Sequence, residues 1–268
     1  MKKNKKKIIK KNSKIVCTIQ ARMNSNRLPG KVMKKINNKP MIELLYSRVQ
    51  KSKLIDEIIV ATSKNKNDDV LVKFLEKKKI KYFRGSENNV LKRLTEAVKY
   101  FKAEIIIQLT GDNPLVDPKI IDYMINFYLK NYPKYLYVTN NGFSVAANRK
   151  LPLGMDVQIF RFKDLNFNFK RSFKKDLKEH PSLYFYREGA KRYNIKNIYI
   201  PKKWQTEIQT RLTVDTKKDF KLVSLIFKKL GAKSKNLFTY EDIIKFFKKN
   251  PKYANINKDV IQKKVKLN

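Results

Sequence analysis

Short apolar runs alternate with longer amphipathic stretches along the first half of the chain. The apolar runs are rich in β-branched residues and predict strands; the clearest are KIVCTIQ, DEIIVATS, IKYF, AEIIIQLT and YLYVTN. The stretches between them repeat apolar residues at helical spacing, as in PMIELLYSRVQKS, NDDVLVKFLEKKK, SENNVLKRLTEAVKYF and DPKIIDYMINFYLKN. This alternation predicts an α/β fold with a mostly parallel sheet flanked by helices.

Polar residues at the start of each amphipathic stretch predict the helix caps. The expected N-caps are Asn67 or Asp68, Ser86 or Asn88, Asp117 with Pro118 after it, and Thr239 with Asp242 three residues on. Gly231 is expected at the C-cap of the helix that follows RLTVDTKKDF. AEIIIQLT is apolar almost throughout, which indicates a strand buried on both faces.

In a parallel sheet, ligands bind beyond the carboxyl ends of the strands, near a switch in strand order. Three loops are therefore expected to come together: residues 20–31, 84–87 and 110–117.

The strand–helix rhythm breaks after Asn140. A turn-rich segment leads into one more strand, VQIF, and residues 160–199 are aromatic and basic without a clear period. We interpret residues 141–205 as an inserted lobe that packs on the sheet or on another subunit. The predicted organisation is a disordered basic tail (1–13), a single domain (14–250) and a C-terminal extension (251–268).

The chain of 268 residues carries a formal net charge of +40. Such a charge suits a nucleic-acid surface or a general attraction for anions. The lysines are spread over every segment, however, so compositional bias is the favoured interpretation and no dedicated nucleic-acid site is expected. One cysteine and one histidine exclude an intramolecular disulfide and Cys-rich or His-rich metal sites. The sequence has neither a secretory signal nor an apolar run of about 20 residues, so a cytoplasmic protein without a membrane span is expected.

The loop QARMNSNRLPGK follows the first predicted strand. It lacks the glycine spacing of a Walker A loop, and Val32 stands where that motif has Ser or Thr. Arg22, Arg27 and Lys31 are nevertheless suited to phosphate oxygens, and Pro29–Gly30 would let the backbone turn closely around a ligand. A polar surface turn remains the alternative on residue types alone.

Two aspartates end apolar runs elsewhere. Asp112 follows the most apolar strand, in QLTGDNPLVDP, and Asp215 follows RLTV, a short run that predicts a strand. Mg²⁺ usually takes one or two carboxylates together with phosphate oxygens and water, so both residues are candidate metal ligands. The alternative for Asp112 is a turn-forming role, and Asp219 is expected to be a first-turn or capping acid of a helix.

Six motifs in order resemble a known family: QARMNSNRLPGK, FRGSENNVLKR, LTGDNPLVDP, PLGMDVQIF, EHPSLY and RLTVDTKKDF. Together they are similar to the cytidylyltransferases of the spore-coat polysaccharide biosynthesis protein F type, and to CMP-sialic acid and CMP-Kdo synthetases. The resemblance implies a Rossmann-like fold of the nucleotide-diphospho-sugar transferase type. It also implies an Mg²⁺-dependent transfer of CMP from CTP to a sugar acid or related glycan precursor, with release of pyrophosphate, by a homodimer.

The resemblance also implies roles for individual residues. The catalytic set is Arg22, Arg27, Lys31 and Asp112. The nucleotide-binding set is Gln20, Ala21, Arg22, Ser25, Arg27, Lys31, Arg84, Gly85, Ser86, Thr110 and Gly111. The acceptor set is Pro152, Gly154, Asp156 and His180, and the metal ligands are Asp112 and Asp215.

The sequence departs from the family pattern on the acceptor side. Gln158 stands where relatives often have Glu, many relatives have an acidic residue near the positions of Asn88 or Asn89, and an EHVT-like run reads EHPS at residues 179–182. The acceptor is therefore left open. The alternatives are a nucleotidyltransferase of the same fold with another base or a phosphorylated acceptor, and a basic polyanion-binding protein with an inactive fold.

Overall fold

The computed structural model describes residues 13–140, 150–206, 210–231 and 237–262. The predicted tail lies outside this part except for Ser13, which is buried and donates a hydrogen bond to Glu104 at 2.9 Å. The beginning of the predicted lobe (141–149) and the last residues of the C-terminal extension (263–268) also lie outside it.

Strands and helices occur where the apolar patterns predict them in the first half. The strands are β1 (Ile15–Gln20), β2 (Lys35–Ile36), β3 (Lys39–Pro40), β4 (Glu57–Ser63), β5 (Tyr82–Gly85), β6 (Ile105–Thr110), β7 (Tyr137–Thr139), β8 (Gln158–Arg161) and β9 (Ile195–Asn197). The α-helices are α1 (Met41–Val49), α2 (Asp69–Lys77), α3 (Val90–Tyr100), α4 (Pro118–Asn131), α5 (Phe162–Phe169), α6 (Lys175–Glu179), α7 (Leu183–Tyr186), α8 (Lys217–Gly231) and α9 (Tyr240–Lys249). Short 3₁₀ helices span Lys31–Met33, Lys66–Asp68, Lys202–Trp204 and Pro251–Asn257.

Among the described residues, one seven-stranded sheet has the order β5-β4-β1-β6-β8-β7-β9. Every neighbouring pair is parallel except the two pairs made by β8, which runs antiparallel to β6 and β7. The expected α/β fold with a mostly parallel sheet is confirmed. From β1 the chain builds outward to β5 and then returns to β6 on the other side of β1, which creates the switch in strand order there.

Helices cover both faces of this sheet. Because side chains alternate along a strand, Cys17 and Ile107 face one layer while Val16 and Ile106 face the other. Helices α1, α2, α4, α8 and α9 pack on the first face, and α3, α5 and α7 on the second. AEIIIQLT is buried on both faces, as its composition predicts. No helix in the described part of the chain has the length and apolar character needed to cross a bilayer.

Two of the four predicted N-caps are confirmed by side-chain hydrogen bonds. Asp117 accepts from the Lys119 amide, and Thr239 forms a capping box with Asp242. The cap of α3 is Asn89, whose side chain accepts from the Lys92 amide, so the expectation of Ser86 or Asn88 was wrong.

For α2, the predicted residue Asp68 does occupy the N-cap position. Asp68 precedes this helix but makes no capping hydrogen bond, because its carboxylate turns inward to β4 and the loop after β1. The side chain of Asn65 instead caps the short 3₁₀ helix ahead of α2 by accepting from the Asn67 amide. Gly231 is the last described residue of α8, and its role as a C-cap stays a prediction.

The second half of the chain contains more structure than its pattern indicates. Helices α5, α6 and α7 occupy the aromatic segment, and β9 adds the outermost strand next to β7. The run RLTV, expected to be a strand, forms an isolated bridge in which Arg211 pairs with Leu153. The predicted strand VQIF is present as β8.

Candidate functional site

The carboxyl ends of β1, β4, β5 and β6 meet at one edge of the sheet. Gln20 is in register with both Ala61 and Thr110, and Ser63 with Gly85. The three loops singled out in the sequence therefore begin side by side, as the parallel topology requires.

The loop after β1 is held in place by its own backbone and by Asp68. The Met23 amide donates to Asp68 at 2.6 Å, and the Gly30 amide donates to the Met23 carbonyl at 2.9 Å. Gly30 has a φ of 66°, a left-handed conformation that favours glycine and turns the chain into the helix beginning at Lys31. Ser25 accepts a long hydrogen bond from the Leu28 amide and so closes the loop rather than pointing out of it.

The loop after β6 lies directly against the loop after β1. The Gly111 amide donates to the Gln20 carbonyl at 2.8 Å. A Cβ at Gly111 would lie 2.9 Å from that oxygen and 3.0 Å from the Cβ of Ala21. Only glycine permits this close approach, which brings Gln20, Ala21 and Thr110 to the same point on the sheet edge.

Lys31 links the two predicted metal ligands. Its Nζ lies 2.9 Å from Oδ2 of Asp112 and 3.0 Å from Oδ1 of Asp215, and it donates to the Val214 carbonyl at 2.8 Å. The structure thus brings together three site residues that are far apart in the sequence.

Asp215 is surrounded by positive charge. Its Oδ2 lies 3.0 Å from Nη2 of Arg27 and 2.8 Å from Nη2 of Arg211. Burial alone would raise the pKa of Asp215, but Lys31, Arg27 and Arg211 outweigh it and lower the pKa below 3.8. Burial would likewise lower the pKa of Lys31, whereas the charges and hydrogen bonds of Asp112 and Asp215 raise it.

Sequence reasoning missed Arg211. It stands four residues before Asp215 in the quoted motif, but an isolated bridge rather than a helix carries it, so no periodicity could relate the two side chains.

Asp112 is oriented by its own strand end. The Thr110 hydroxyl donates to Oδ1 at 2.5 Å and itself accepts from the Asn113 side chain. The Val214 amide donates to the Asp112 carbonyl at 2.8 Å, which joins the segment before Asp215 to this loop.

The two carboxylates fit the oxygen ligands that a divalent cation prefers. Asp112 Oδ2, Asp215 Oδ1 and the Val214 carbonyl converge on the Lys31 ammonium, so a positive charge is already favourable at that point. Within the described residues no group of three or more His, Cys, Asp or Glu side chains could hold a metal. Mg²⁺ that takes one or two carboxylates and completes its shell with phosphate and water matches this arrangement.

The segment predicted to border the acceptor lies beside the same cluster. The Leu212 amide donates to the Leu153 carbonyl at 2.7 Å. Gly154 has a φ of 104°, and a Cβ there would lie 2.5 Å from the Leu212 carbonyl carbon. Pro152 and Gly154 are thus packed on the chain that leads to Asp215, and the Gly154 amide contacts the Asp156 carboxylate. His180 lies at the end of α6, where its carbonyl accepts from the Leu183 amide; its part in the acceptor site stays a prediction.

Arg84 contacts the β4–α2 connection. It donates to the carbonyls of Ser63 and Asn65 at 3.1 Å and lies 2.7 Å from the Asp69 carboxylate. Next to it, Gly85 is in contact with Arg93, since a Cβ at Gly85 would lie 2.8 Å from Cγ of Arg93.

Glu87 joins three loops and was also missed. Its carboxylate accepts from the Asn24 and Asn65 side chains, both at 2.6 Å, and its carbonyl accepts from Arg22 at 3.4 Å. Nearby, the Ser86 hydroxyl accepts from the Asn89 amide. The side-chain hydrogen bonds from Asn65 and Asn24 lower the pKa of Glu87.

Comparison with known proteins gives one consistent family. A family model described as cytidylyltransferase matches residues 16–260. The spore coat polysaccharide biosynthesis protein SpsF of Bacillus subtilis is 30% identical, with 90% of this chain and 96% of that protein covered. The 8-amino-3,8-dideoxy-manno-octulosonate cytidylyltransferase of Shewanella frigidimarina is 30% identical, with 63% of this chain and 70% of that protein covered. The solved structure of a cytidylyltransferase from Leptospira borgpetersenii superimposes with a TM-score of 0.80 at 29% identity, and the match covers 94% of this chain and all of that one.

Proposed function

The chain belongs to the cytidylyltransferase family, and on that premise we propose that it transfers CMP from CTP to a sugar acid or a related glycan precursor for cell-surface polysaccharide synthesis. The relatives' names support this acceptor class, since one makes an activated octulosonate and another serves spore-coat polysaccharide. The observation that carries the proposal is the convergence of Asp112 and Asp215 on Lys31, beside Arg27, at the switch in strand order.

The reaction needs an acceptor hydroxyl, a triphosphate and charge neutralisation. The hydroxyl oxygen bonds to the α-phosphorus, and the bond from that phosphorus to the oxygen bridging to the β-phosphate breaks. Pyrophosphate leaves with the electron pair, and the hydroxyl proton passes to solvent. Because such transfers depend mostly on positioning and electrostatic stabilisation, no side-chain nucleophile is required.

We assign the triphosphate to the basic side of the cluster. Arg22, Arg27 and Lys31 neutralise the phosphates and the departing pyrophosphate. The loops that meet at Gly111 form the floor of this site, and the remaining nucleotide contacts come from the ends of β1, β5 and β6. These further contacts are Gln20, Ala21, Ser25, Arg84, Gly85, Ser86, Thr110 and Gly111.

Asp112 and Asp215 would hold Mg²⁺, which when bound supplies positive charge to the phosphate oxygens. Lys31 then exchanges its carboxylate contacts for phosphate oxygens, which suits a flexible ammonium with three donors. A cation-binding role explains why two carboxylates lie in a strongly basic site, where a plain polyanion binder would have no use for them.

The acceptor site is assigned to the segment packed beside Asp215. Pro152, Gly154 and Asp156 border it, and His180 is a further candidate from the lobe. Residues 150–205 of the lobe provide the contact for a homodimer in this proposal.

Turnover tests the proposal directly. We expect pyrophosphate release with CTP and Mg²⁺ in the presence of 3-deoxy-octulosonate or another sugar acid, and much slower release with UTP, GTP or ATP. Asp112→Asn should lower kcat by about a hundredfold or more, since electrostatic groups at a developing charge contribute roughly that much. Asp259→Asn, on the exposed C-terminal side, is the matched control and should retain wild-type turnover. Wild-type turnover in Asp112→Asn would refute the metal assignment, and release with another base would favour a different nucleotidyltransferase.

A further inference from the structure

Arg211 connects the candidate metal ligand Asp215 to the end of the chain. Its side chain is buried, with the residue only 7% exposed, and it makes contacts in three directions. Nη2 lies 2.8 Å from Oδ2 of Asp215, Nε lies 3.3 Å from Oδ1 of Asp219, and Nη1 donates to the Gln262 side chain.

The Asp219 carboxylate holds the backbone around Asp215 through hydrogen bonds. Its Oδ2 accepts from the Asp215 amide at 3.0 Å and from the Thr216 amide at 2.9 Å. Asp219 has no exposed surface, and its position is set by these amides, by the Thr216 hydroxyl, which donates to Oδ2 at 3.0 Å, and by the partners of Oδ1.

Asn257 supplies the remaining hydrogen bonds. Its Nδ2 donates to Oδ1 of Asp219 at 2.7 Å and to the Arg211 carbonyl at 3.0 Å, and its Oδ1 accepts from the Thr210 hydroxyl at 3.2 Å. It is 1% exposed, so water cannot replace these bonds. One amide side chain therefore contacts both the Arg211 backbone and the Asp219 carboxylate, two of the groups that hold Asp215.

The C-terminal segment (residues 251–262) is packed firmly enough to serve as this support. Tyr253 stacks on Phe246 of α9 at 5.5 Å, and Tyr253, Ala254 and Ile256 pack against the main apolar core. The predicted C-terminal extension thus contacts, through Asn257, the residues that hold Asp215.

We propose that the C-terminal segment positions the catalytic centre: Asn257 orients Arg211 and Asp219, and Arg211 holds Oδ2 of Asp215 so that Oδ1 contacts the Lys31 ammonium, which Asp112 also contacts. This inference rests on the proposed function, because it assigns a use to the orientation of Asp215. Arg211 and Asn257 are positioning residues in this scheme, since they act on the substrate only through Asp215.

The test compares Asn257→Asp with Asn255→Asp. Both changes swap an amide for a carboxylate of nearly the same size in the same segment, but Asn255 is exposed, so it serves as the matched control. In Asn257→Asp the donor to Asp219 is lost and a like charge takes its place. Mn²⁺ binding in the presence of CTP, followed by electron paramagnetic resonance, reports on the metal ligands without turnover. Pyrophosphate release against Mg²⁺ concentration and the melting temperature complete the measurement.

We expect Asn257→Asp to weaken Mn²⁺ binding and to raise the Mg²⁺ concentration for half-maximal turnover by about tenfold, the effect of losing roughly one charge-assisted hydrogen bond. Saturating Mg²⁺ should restore most of kcat, which a merely misfolded variant would not show. Arg211→Lys, which keeps the charge but cannot contact both aspartates, should behave similarly.

If the wild-type protein turns over CTP but Asn257→Asp and Asn255→Asp bind Mn²⁺ with equal affinity, this inference is overturned and the proposed function is not. Wild-type protein that neither binds Mn²⁺ with CTP nor releases pyrophosphate would overturn the proposed function and this inference with it. A lower melting temperature in Asn257→Asp with unchanged Mn²⁺ affinity would show that Asn257 is only structural.

Discussion

Lys31 is the residue on which the candidate site depends. Two carboxylates that contact the same ammonium group lie close enough to repel each other, and burial increases the cost of keeping such groups ionised. The Lys31 ammonium offsets that repulsion by contacting Asp112 and Asp215 at once. The lowered pKa of Asp215 shows that Lys31 and the neighbouring arginines favour its ionised form, which is the form that a cation would bind.

Replacing Lys31 by Met should destabilise the fold in a pH-dependent way. The lowered pKa of Asp215 means that its stabilising contacts are complete above about pH 3.8 and are lost as the pH falls through the folded-state pKa. The raised pKa of Lys31 means that the ammonium contributes fully up to about pH 10.5. We expect Lys31→Met to cost about 3 kcal/mol at pH 7, as for other buried pairs broken on one side.

That cost should shrink below pH 3.8, where protonation of Asp215 removes the repulsion that the variant leaves behind. Urea unfolding at pH 7 and pH 3 measures the difference, with Lys92→Met in the exposed Lys92–Glu96 pair as the control. A cost that is the same at both pH values would contradict the electrostatic role.

For single residues, the sequence predicted the charged groups of the candidate site but not all the residues that hold them in place. Residue types at strand ends were enough to predict Lys31, Asp112 and Asp215. Arg211 and Glu87 act through contacts between segments far apart in the chain, and no local spacing signals such contacts. The Asp215 cluster could therefore be predicted only as a pair of ligands, without the arginine that orients it.

Among the elements, α3 shows which structural feature selects an N-cap residue when several suitable residues are available. Three residues of N-cap type precede it: Ser86, Asn88 and Asn89. The backbone geometry selects Asn89, because the Ser86 hydroxyl already accepts from the Asn89 amide and Asn88 is exposed.

Asn89→Ala should therefore lower the free energy of unfolding by about 1 kcal/mol, the usual effect of losing a side-chain cap. Asn88→Ala is the neighbouring control and should change it by less than about 0.5 kcal/mol, as for other surface changes. Chemical denaturation of both variants gives the comparison; equal effects would mean that the cap is shared.

Glu87 couples the loops after β1, β4 and β5, so it should matter for substrate binding more than for chemistry. In Glu87→Gln the amide nitrogen cannot accept from Asn24 or Asn65, and one of these hydrogen bonds must break. We expect KM for CTP to rise about fivefold to tenfold with kcat within about twofold, the effect of losing one hydrogen bond to a charged group. Steady-state kinetics with Glu96→Gln on α3 as control measures it, and a fall in kcat alone would contradict this role.

The elements of the first half could be predicted because each carries its own period and its own terminators. Beyond Asn140 the governing contacts are long-range: β8 inserts antiparallel between β6 and β7, and β9 adds to the edge of β7. Short helices such as α6 and α7 are too brief to show a period. The outcome there depended on packing around Phe185, which local pattern does not encode.

For the whole molecule, the net charge of +40 is the basis of the remaining alternative, a polyanion-binding protein with an inactive fold. A field of this sign attracts nucleotides and nucleic acids alike, but exposed charges are screened beyond about 10 Å at 0.1 M salt. The contacts of Lys31 are partly buried, with its side chain 12% exposed, and are screened much less. Salt therefore separates binding at the site from attraction to the surface.

Thermal stabilisation by nucleotides should depend on binding at the candidate site rather than on attraction to the surface charge. With Mg²⁺ and 0.3 M KCl, CTP at about 100 times its dissociation constant should stabilise the protein by roughly 2.7 kcal/mol, or several degrees for a chain of this size. UTP, GTP and ATP should give smaller shifts, and a single-stranded oligonucleotide that binds in 0.05 M KCl should lose its shift, because its affinity comes from counterion release. Asp112→Asn should lose the CTP shift while Asp259→Asn keeps it. Equal shifts for all four nucleotides, independent of Mg²⁺ and of Asp112, would instead identify a polyanion-binding surface on an inactive fold.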